Sequence, residues 1–180
     1  AGKYNTGARM NRVVLANRLY DGMSAAWENT KRQPLSRIEI RVAIAKLSPR
    51  NHKGFTEADY LAKLKPGVDP WQQCLAAMGL SWRRRCDRGQ PVEVPVVDFG
   101  PAMLLLLPGE SYVEFQLAAQ RMRPNAFVMM AGYGEGGTGY VPTAKHWAEK
   151  DFNLNDWCWV HPGAEETLLK AITRGMREEK

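Results

Sequence analysis

The sequence contains no apolar run that is long enough to cross a membrane. The longest uninterrupted stretch, Ala102 to Leu107, has the length of a strand, whereas a membrane-spanning helix needs roughly 18–20 apolar residues. The N-terminus has neither an initiator Met nor the apolar segment of a signal peptide. We therefore expect no transmembrane segment, and we interpret the opening residues 1–5 as the start of a mature or excised product. The compartment stays open.

Histidine is scarce, and its spacing does not indicate a metal site. The three histidines, His52, His146 and His161, form neither an HxxxH nor an HxH pattern. We expect His146 and His161 to be surface or capping residues. A Gly-x-Ser-x-Gly elbow is also missing, so a serine hydrolase is not indicated. An independent hydrolase that combines Glu135 or Asp156 with one of these histidines remains an alternative, without support from spacing.

Cysteine is also rare, which limits both disulfide and zinc-ribbon interpretations. The chain has three cysteines, Cys74, Cys86 and Cys158, and none lies in a CxxC pattern. An odd number cannot pair completely within one chain. We expect buried free thiols, and the alternative is one disulfide from Cys158 to either of the other two.

The positive charge is modest. A net charge of +6 permits attraction to anionic surfaces, but it does not require a nucleic-acid partner, and we expect none. The densest basic cluster is Arg83, Arg84, Arg85 and Arg88, shortly before Gly89. We interpret it as a helix C-terminus whose arginines complement the helix dipole. A phosphate-binding patch is the alternative.

The composition is that of a folded domain, with 44% hydrophobic and 24% charged residues. Apolar periodicity and turn residues predict helices and strands along most of the chain. The predicted helices cover residues 9–30, 56–64, 71–85, 111–121, 143–149 and 163–177. The predicted strands cover residues 38–44, 92–97, 102–107 and 127–130.

Two of these strands carry specific expectations. Ile38, Ile40, Val42 and Ile44 alternate with polar or small residues, which predicts a half-buried strand. The run 102–107 is apolar at every position, as in a strand that is covered on both faces.

The order of these elements predicts the fold class. The strand–helix–strand succession from Met103 to Met130 favours a layered α/β arrangement, a mixed sheet with helices and at least one parallel crossover. The 180 residues form either a single domain or the C-terminal fragment of a larger α/β hydrolase-like domain.

Glu110 is the first candidate functional residue. It comes directly after the apolar strand and the turn Pro108-Gly109, and ligands in layered α/β proteins gather just beyond the carboxyl ends of strands. A carboxylate at this position suits metal binding or acid–base chemistry. Alternatively, it only stabilises the N-terminus of the next helix.

The second candidate segment is rich in glycine and runs from Gly132 to Tyr140. Its spacing matches a dinucleotide fingerprint, but no helix can continue through Val141-Pro142, so we exclude that function. The glycines indicate a flexible loop or a close approach of the backbone to another group. Tyr140 would place a phenol beside that approach. The loop residues that we assign to the vicinity of the site are Gly132, Tyr133, Gly137 and Gly139.

Together these segments resemble a known family. The run 107–111, the helix, the strand 127–131 and the segment Gly139-Tyr140-Val141-Pro142-Thr143 are similar to the neutral/alkaline non-lysosomal ceramidases. The similarity is closer to their uncharacterised bacterial relatives, which resemble the ceramidase N-terminal domain. In that family a Pro-Gly-Glu comes after a strand, and a tyrosine in a Tyr-(Val/Ile)-x-Thr segment lies some thirty to forty residues later.

The resemblance implies a metal site and a reaction class. The glutamate and tyrosine of that family are zinc ligands, which assigns zinc and the ligand positions Glu110 and Tyr140 to this chain. It further implies zinc-assisted hydrolysis of an amide, with a lipid-like sphingolipid substrate and a secreted or periplasmic location. Two histidine ligands and a serine come from the earlier half of the family's domain. None of the three histidines here lies in a matching motif, so the missing N-terminal part becomes the expected partner, and we expect the chain alone to be inactive.

A second hypothesis comes from another class of protein. The chain is then a non-catalytic binding or interaction module that keeps the fold without the chemistry. In this hypothesis the glycine-rich loop and the exposed aromatic residues, such as Trp147 and Trp157, contact a partner or a glycan.

Overall fold

The computed structural model describes residues 6–177. The opening residues 1–5, for which a mature or excised start is expected, lie outside the described residues. The chain divides into two compact units, Ala1–Ser36 and Arg37–Lys180. Its helices are α1 Met10–Glu28, α2 Glu57–Lys63, α3 Pro70–Asp87, α4 Val113–Met122, α5 Ala144–Ala148 and α6 Ala164–Gly175. Its strands are β1 Glu39–Ala45, β2 Val92–Asp98, β3 Ala102–Pro108, β4 Glu110–Ser111, β5 Phe127–Gly134 and β6 Tyr140–Val141.

The first unit consists of α1 and its flanking residues. The predicted helix over residues 9–30 is confirmed as α1, which ends where the Asn29 and Thr30 side chains donate back to the carbonyls of Ala25 and Ala26. None of its side chains is buried. Throughout residues 6–177, no helix combines the length and the apolar character that a membrane span requires.

The second unit is built on a mixed four-stranded sheet, which confirms the predicted α/β class. The strand order is β1-β2-β3-β5. The first two pairings are antiparallel, and β3 pairs with β5 in parallel. The parallel pairing confirms the predicted crossover between Met103 and Met130, which α4 provides.

One face of this sheet is covered by helices. The apolar face consists of Val94, Val96, Leu105 and their neighbours, and α6 packs against β1 and β2 while α4 packs against β5. The β3 run is therefore covered completely on one side only, because Leu105 is buried whereas Leu104 is half-buried. The expectation that both faces of this strand are covered is wrong.

In β1 the predicted alternation is confirmed, but the buried face is the opposite one. Ile40, Val42 and Ile44 are exposed, whereas Ala43 and Ala45 are buried. The reason is the close approach of α6, where a Cβ on Gly175 would lie 3.6 Å from that of Ala43. Small side chains fit beneath this helix, and the β-branched ones lie on the other face.

A buried ion pair ties α6 to the sheet. The Arg41 guanidinium donates to the Asp98 carboxylate at 2.7 Å and to the carbonyl of Gly175 at 2.9 Å. Burial acts to raise the pKa of Asp98, but hydrogen bonds from Arg41 and the Gly100 amide outweigh it, and the pKa is lowered. The charge on β1 thus fixes the end of α6 against the sheet.

Helices α2 and α3 begin as the sequence predicts. Thr56 and Asp59 form a reciprocal capping box at the start of α2. In α3, Asp69 caps the helix and Pro70 occupies its first turn. Its last turn contains Arg84 and Arg85, in agreement with the predicted basic C-terminus.

Candidate metal-ligand site

The structure brings Glu110 and Tyr140 together. β4 and β6 form a two-stranded parallel sheet in which Glu110 is the register partner of Tyr140. The amide of Glu110 donates to the carbonyl of Gly139 at 2.9 Å. Both residues lie just beyond the carboxyl ends of the neighbouring parallel strands β3 and β5, where ligand sites of layered α/β proteins are found.

The Glu110 carboxylate accepts hydrogen bonds from two aromatic side chains. The indole nitrogen of Trp157 donates to Oε1 at 2.6 Å, and the phenol of Tyr133 reaches Oε2 at 3.4 Å. The phenol of Tyr140 lies close enough for the carboxylate to raise its pKa. Among the described residues, no lysine, arginine or histidine forms an ion pair with Glu110. The half-buried negative charge is therefore stabilised by dipoles alone.

The environment keeps Tyr140 protonated at neutral pH. Burial raises the pKa of its phenol, and the negative charge of the nearby Glu110 raises the pKa further. A cation between the two oxygens would reverse the effect of the carboxylate, because it favours the ionised phenol. The pair thus consists of a carboxylate and a protonated phenol.

Glycines make the close approach of these segments feasible. Gly109 has φ +51° and Gly139 has φ +63°, and an added Cβ at either position would overlap neighbouring atoms. At Gly109 the overlap is with the Thr138 hydroxyl, and at Gly139 with the carbonyl of Trp157. Of the assigned loop glycines, Gly139 therefore serves the close backbone approach that the sequence suggested.

The other assigned loop residues differ in position. Tyr133 is 78% exposed and has φ 60°, an unusual backbone conformation for a tyrosine, and its phenol reaches Glu110. A Cβ on Gly132 would have only the Gly109 carbonyl, at 3.7 Å, for a neighbour. Gly137 lies beside a surface groove that Arg85 and other α3 residues line. The structure thus brings Tyr133 and Gly139 to the carboxylate and directs Gly137 elsewhere.

Tyr112 and Asp151 form a second polar group, which lies beside Tyr140. The Tyr112 phenol donates to Asp151 at 3.0 Å, and its ring meets the edges of Tyr140 and His146 with centroids 5.7 Å and 4.3 Å away. Burial raises the pKa of Tyr112, and the hydrogen bond to Asp151 adds to this effect. The pKa of Asp151 is lowered: burial opposes ionisation, but the Asn153 amide and the Tyr112 phenol outweigh it. A carboxylate and a neutral phenol therefore lie beside the Tyr140 ring.

The histidines do not complete a metal site. His146 is buried rather than at the surface. Its Nδ1 lies 2.8 Å from the Thr143 hydroxyl, and its Nε2 lies 3.4 Å from a carboxylate oxygen of Glu114. His161 caps a turn by accepting from the Gly163 amide at 3.1 Å, as expected of a capping residue. Within residues 6–177, no cluster of three or more His, Cys, Asp and Glu side chains has the geometry of a metal site. Glu110 and Tyr140 offer two oxygen ligands, which are an incomplete set for zinc.

The cysteines are free thiols. Cys158 is buried, Cys86 is half-buried and Cys74 is exposed. The expectation of free thiols is confirmed, but that of burial is wrong for Cys74, which lies on the outer side of α3.

Trp157 has a role that sequence reasoning misses. Trp147 and Trp157, which are expected to be exposed, are both half-buried and pack against the core. Trp157 stacks on Trp71 with the rings 10° from parallel and donates to Glu110. No local signal in the sequence indicates its contact with a residue so distant in the chain.

Comparison with known proteins adds no assignment. No family model matches the chain, and neither a curated protein nor a solved structure matches it. A functional assignment therefore depends on the residues and their geometry.

Proposed function

We propose that this chain supplies Glu110 and Tyr140 as two oxygen ligands to a zinc centre of an amide hydrolase, as the resemblance to the ceramidase family implies. The remaining ligands would come from another part of the same domain, outside these 180 residues. The chain by itself is then inactive and binds zinc weakly, because two oxygens rarely hold this metal without imidazole or thiolate.

The observation that carries the proposal is the pairing of the two side chains. They are register partners across β4 and β6, the negative charge of Glu110 raises the pKa of the Tyr140 phenol, and the carboxylate has no cationic partner in the described part of the chain. A half-buried carboxylate normally pairs with a cation or a set of donors. Glu110 has neutral donors, and a metal ion would add the positive charge that they do not provide.

The protein's part of the chemistry is to present these oxygens. When bound, zinc polarises a substrate carbonyl and lowers the pKa of a coordinated water, which suits hydrolysis of an amide. Glu110 would contribute a fixed negative charge, and Tyr140 would release its proton as its oxygen becomes a ligand. The exposed Tyr133, whose phenol reaches Glu110, lies at the solvent-facing side of the pair and is placed to contact an amide substrate.

The test is a residue-resolved metal titration. We expect Co²⁺, a spectroscopic substitute for zinc, to shift the amide resonances of Glu110 and Tyr140 in a weak, dialysable complex. Glu110→Ala removes one of two ligands, so these shifts disappear. Glu135→Ala is the matched control, because Glu135 is an exposed carboxylate of the same glycine-rich loop, and we expect it to leave the titration unchanged.

Two results would overturn the proposal. One is tight one-to-one zinc binding that survives dialysis and also survives Glu110→Ala, which would place the metal elsewhere. The other is a titration in which the Glu110 and Tyr140 resonances do not move. In the second case the hypothesis of a non-catalytic binding module takes its place.

A further inference from the structure

A cavity of the second unit lies between α2, α3 and the segment 155–159. Its volume is about 220 Å³. Neither Glu110 nor Tyr140 lines it, so a ligand bound there would be independent of the proposed function. The apolar part of its wall consists of Phe55, Tyr60, Leu75, Ala76 and Trp159.

Two buried aromatic side chains of this wall carry unpaired polar atoms. Tyr60 is 4% exposed and Trp159 is 2% exposed. Within residues 6–177, neither the Tyr60 hydroxyl nor the Trp159 indole N–H has a hydrogen-bond partner, and both atoms keep contact with solvent. Because a polar group without a partner is costly in a protein interior, such groups normally meet water or a ligand. Both groups are therefore available to a molecule that enters the cavity.

Gly79 of α3 allows the two rings to lie side by side. A Cβ at this position would lie 2.6 Å from the Tyr60 ring and 2.9 Å from the indole nitrogen of Trp159. Burial raises the pKa of Tyr60 to about 12, against the opposing positive charges of Arg83 and Arg50. The phenol therefore keeps its proton at neutral pH, and the wall presents two neighbouring hydrogen-bond donors.

We propose that this cavity binds a small organic carboxylate through the Tyr60 hydroxyl and the Trp159 indole N–H. An indole N–H only donates hydrogen bonds, so its ligand must offer an acceptor. An ionised carboxylate only accepts, and its two oxygens serve two donors at once. Hydrogen bonds to an ionised acceptor are also roughly twice as strong as those between neutral groups.

The charge and size of the cavity agree with such a ligand. Lys53 and Lys63 line it together with one acidic residue, Asp156, so the local charge favours an anion. Phe55 and Leu75 provide apolar surface for a short hydrocarbon portion. The volume is below the roughly 300–1,000 Å³ of pockets for drug-sized ligands, which limits the ligand to a small one.

The test uses benzoate as the probe, because this molecule joins a carboxylate to a small apolar ring. We expect benzoate to bind with a dissociation constant of about 1 mM or tighter. Binding should shift the indole N–H resonance of Trp159, which gains an acceptor. Benzamide has the same shape without the charge, and we expect it to bind at least about tenfold more weakly. This comparison needs no variant of the protein.

Two tyrosine variants separate binding from stability. Tyr60→Phe removes the hydroxyl and keeps the ring, and we expect at least about tenfold weaker benzoate binding. The unfolding temperature of the ligand-free protein should stay the same, because this hydroxyl has no protein partner to lose. Tyr112→Phe is the matched control, since the Tyr112 phenol donates to Asp151 outside the cavity. We expect it to lower the unfolding temperature and to leave the benzoate affinity unchanged.

Two lysine variants test the charge at the cavity. Lys63→Gln and Lys65→Gln remove the same charge from neighbouring positions, but only Lys63 lines the cavity. We expect Lys63→Gln to weaken benzoate binding about two- to fivefold and Lys65→Gln to leave it unchanged. Equal losses in both variants would contradict binding in this cavity.

Several further results would overturn the inference. If benzoate leaves the Trp159 indole resonance in place, the cavity holds only water. Equal affinities for benzoate and benzamide would show that the carboxylate charge is not recognised, and binding of glucose in place of benzoate would assign the cavity to a neutral sugar. An unchanged benzoate affinity in Tyr60→Phe would place the ligand elsewhere. None of these results bears on the proposed function, because no measurement involves Co²⁺ or the Glu110–Tyr140 pair.

Discussion

Gly139 lies directly against the backbone carbonyl of Trp157, at a distance that leaves no room for a Cβ. The same carbonyl accepts the amide of Tyr140 at 2.8 Å. The close contact therefore sets the position of a candidate ligand, and it can be disrupted by one methyl group.

We expect Gly139→Ala to destabilise the second unit by about 2–4 kcal/mol. The new methyl would overlap the Trp157 carbonyl and lie 2.9 Å from the Trp159 ring, and the residue would keep φ +63°. Gly137→Ala is the control, because Gly137 has a similar φ of +58° but open space around its Cβ position. This control measures only the cost of placing a Cβ-bearing residue in the left-handed backbone conformation, which is about 1 kcal/mol. Urea unfolding measures both, and equal losses would contradict the packing explanation.

Metal binding at the pair is expected to strengthen as pH rises. The raised pKa of Tyr140 keeps the phenol protonated at neutral pH, and a ligand oxygen must lose its proton. Below that pKa, each pH unit increases the ionised fraction about tenfold, so Co²⁺ affinity should rise by about that factor. The measurement tracks the Glu110 amide at about pH 6, 7 and 8. Tyr140→Phe lacks the proton and should flatten the profile, and a flat profile in the wild type would exclude the phenol as a ligand.

Loss of the buried ion pair is expected to cost far more than loss of an exposed one. Asp98→Asn leaves Arg41 without its buried carboxylate, at a cost of about 3–5 kcal/mol. Glu57→Gln removes the exposed partner of Arg84 and should cost no more than about 1 kcal/mol. Denaturant titration at neutral pH measures the loss in the free energy of unfolding for each of the two variants.

The pH dependence of this pair has a defined sign. The pKa of Asp98 is lowered in the folded state, so its contribution is present above the unfolded carboxyl pKa of about 3.9 and disappears as pH falls through the folded value. The difference in the free energy of unfolding between the wild type and Asp98→Asn should therefore become smaller in acid. A difference that stays constant from about pH 7 to about pH 2 would show that the ion pair is not its source.

Thiol reactivity is expected to differ among the three cysteines. Burial raises the pKa of Cys86 to about 11 and that of Cys158 to about 12, whereas Cys74 is exposed. Because the thiolate is the reactive form, a disulfide reagent at about pH 8 should label one thiol quickly and all three only after unfolding. Cys74→Ser should abolish the fast phase. If two thiols of the folded wild type reacted quickly, this would contradict the burial of Cys86 and Cys158.

The periodic elements could be predicted from the sequence because their causes are local. The capping box at Thr56, the proline of the first turn of α3 and the alternation in β2 each lie within a few residues. Local patterns do not say which side of a strand is covered. In β1 the packing of Gly175 against Ala43, far apart in the chain, decides that the small residues face α6.

In the candidate site, too, some features could be predicted from the sequence and others could not. The resemblance to the ceramidase family implied that Glu110 and Tyr140 meet, and the structure places them as register partners. The donors around the carboxylate were not predicted, because Trp157 reaches Glu110 from 47 residues away. The two-residue strands β4 and β6 are likewise too short to leave a periodic signal.

Residues 158–160 connect this site to a remote loop. On one side Cys158 bridges Gly139, and on the other Val160 bridges Pro49. The Arg50 amide donates to the Trp159 carbonyl at 2.8 Å, and the Arg50 guanidinium contacts the carbonyl of Cys158. The position of Tyr140, whose amide donates to the Trp157 carbonyl, is consequently coupled through residues 158–160 to a turn that contains neither candidate ligand.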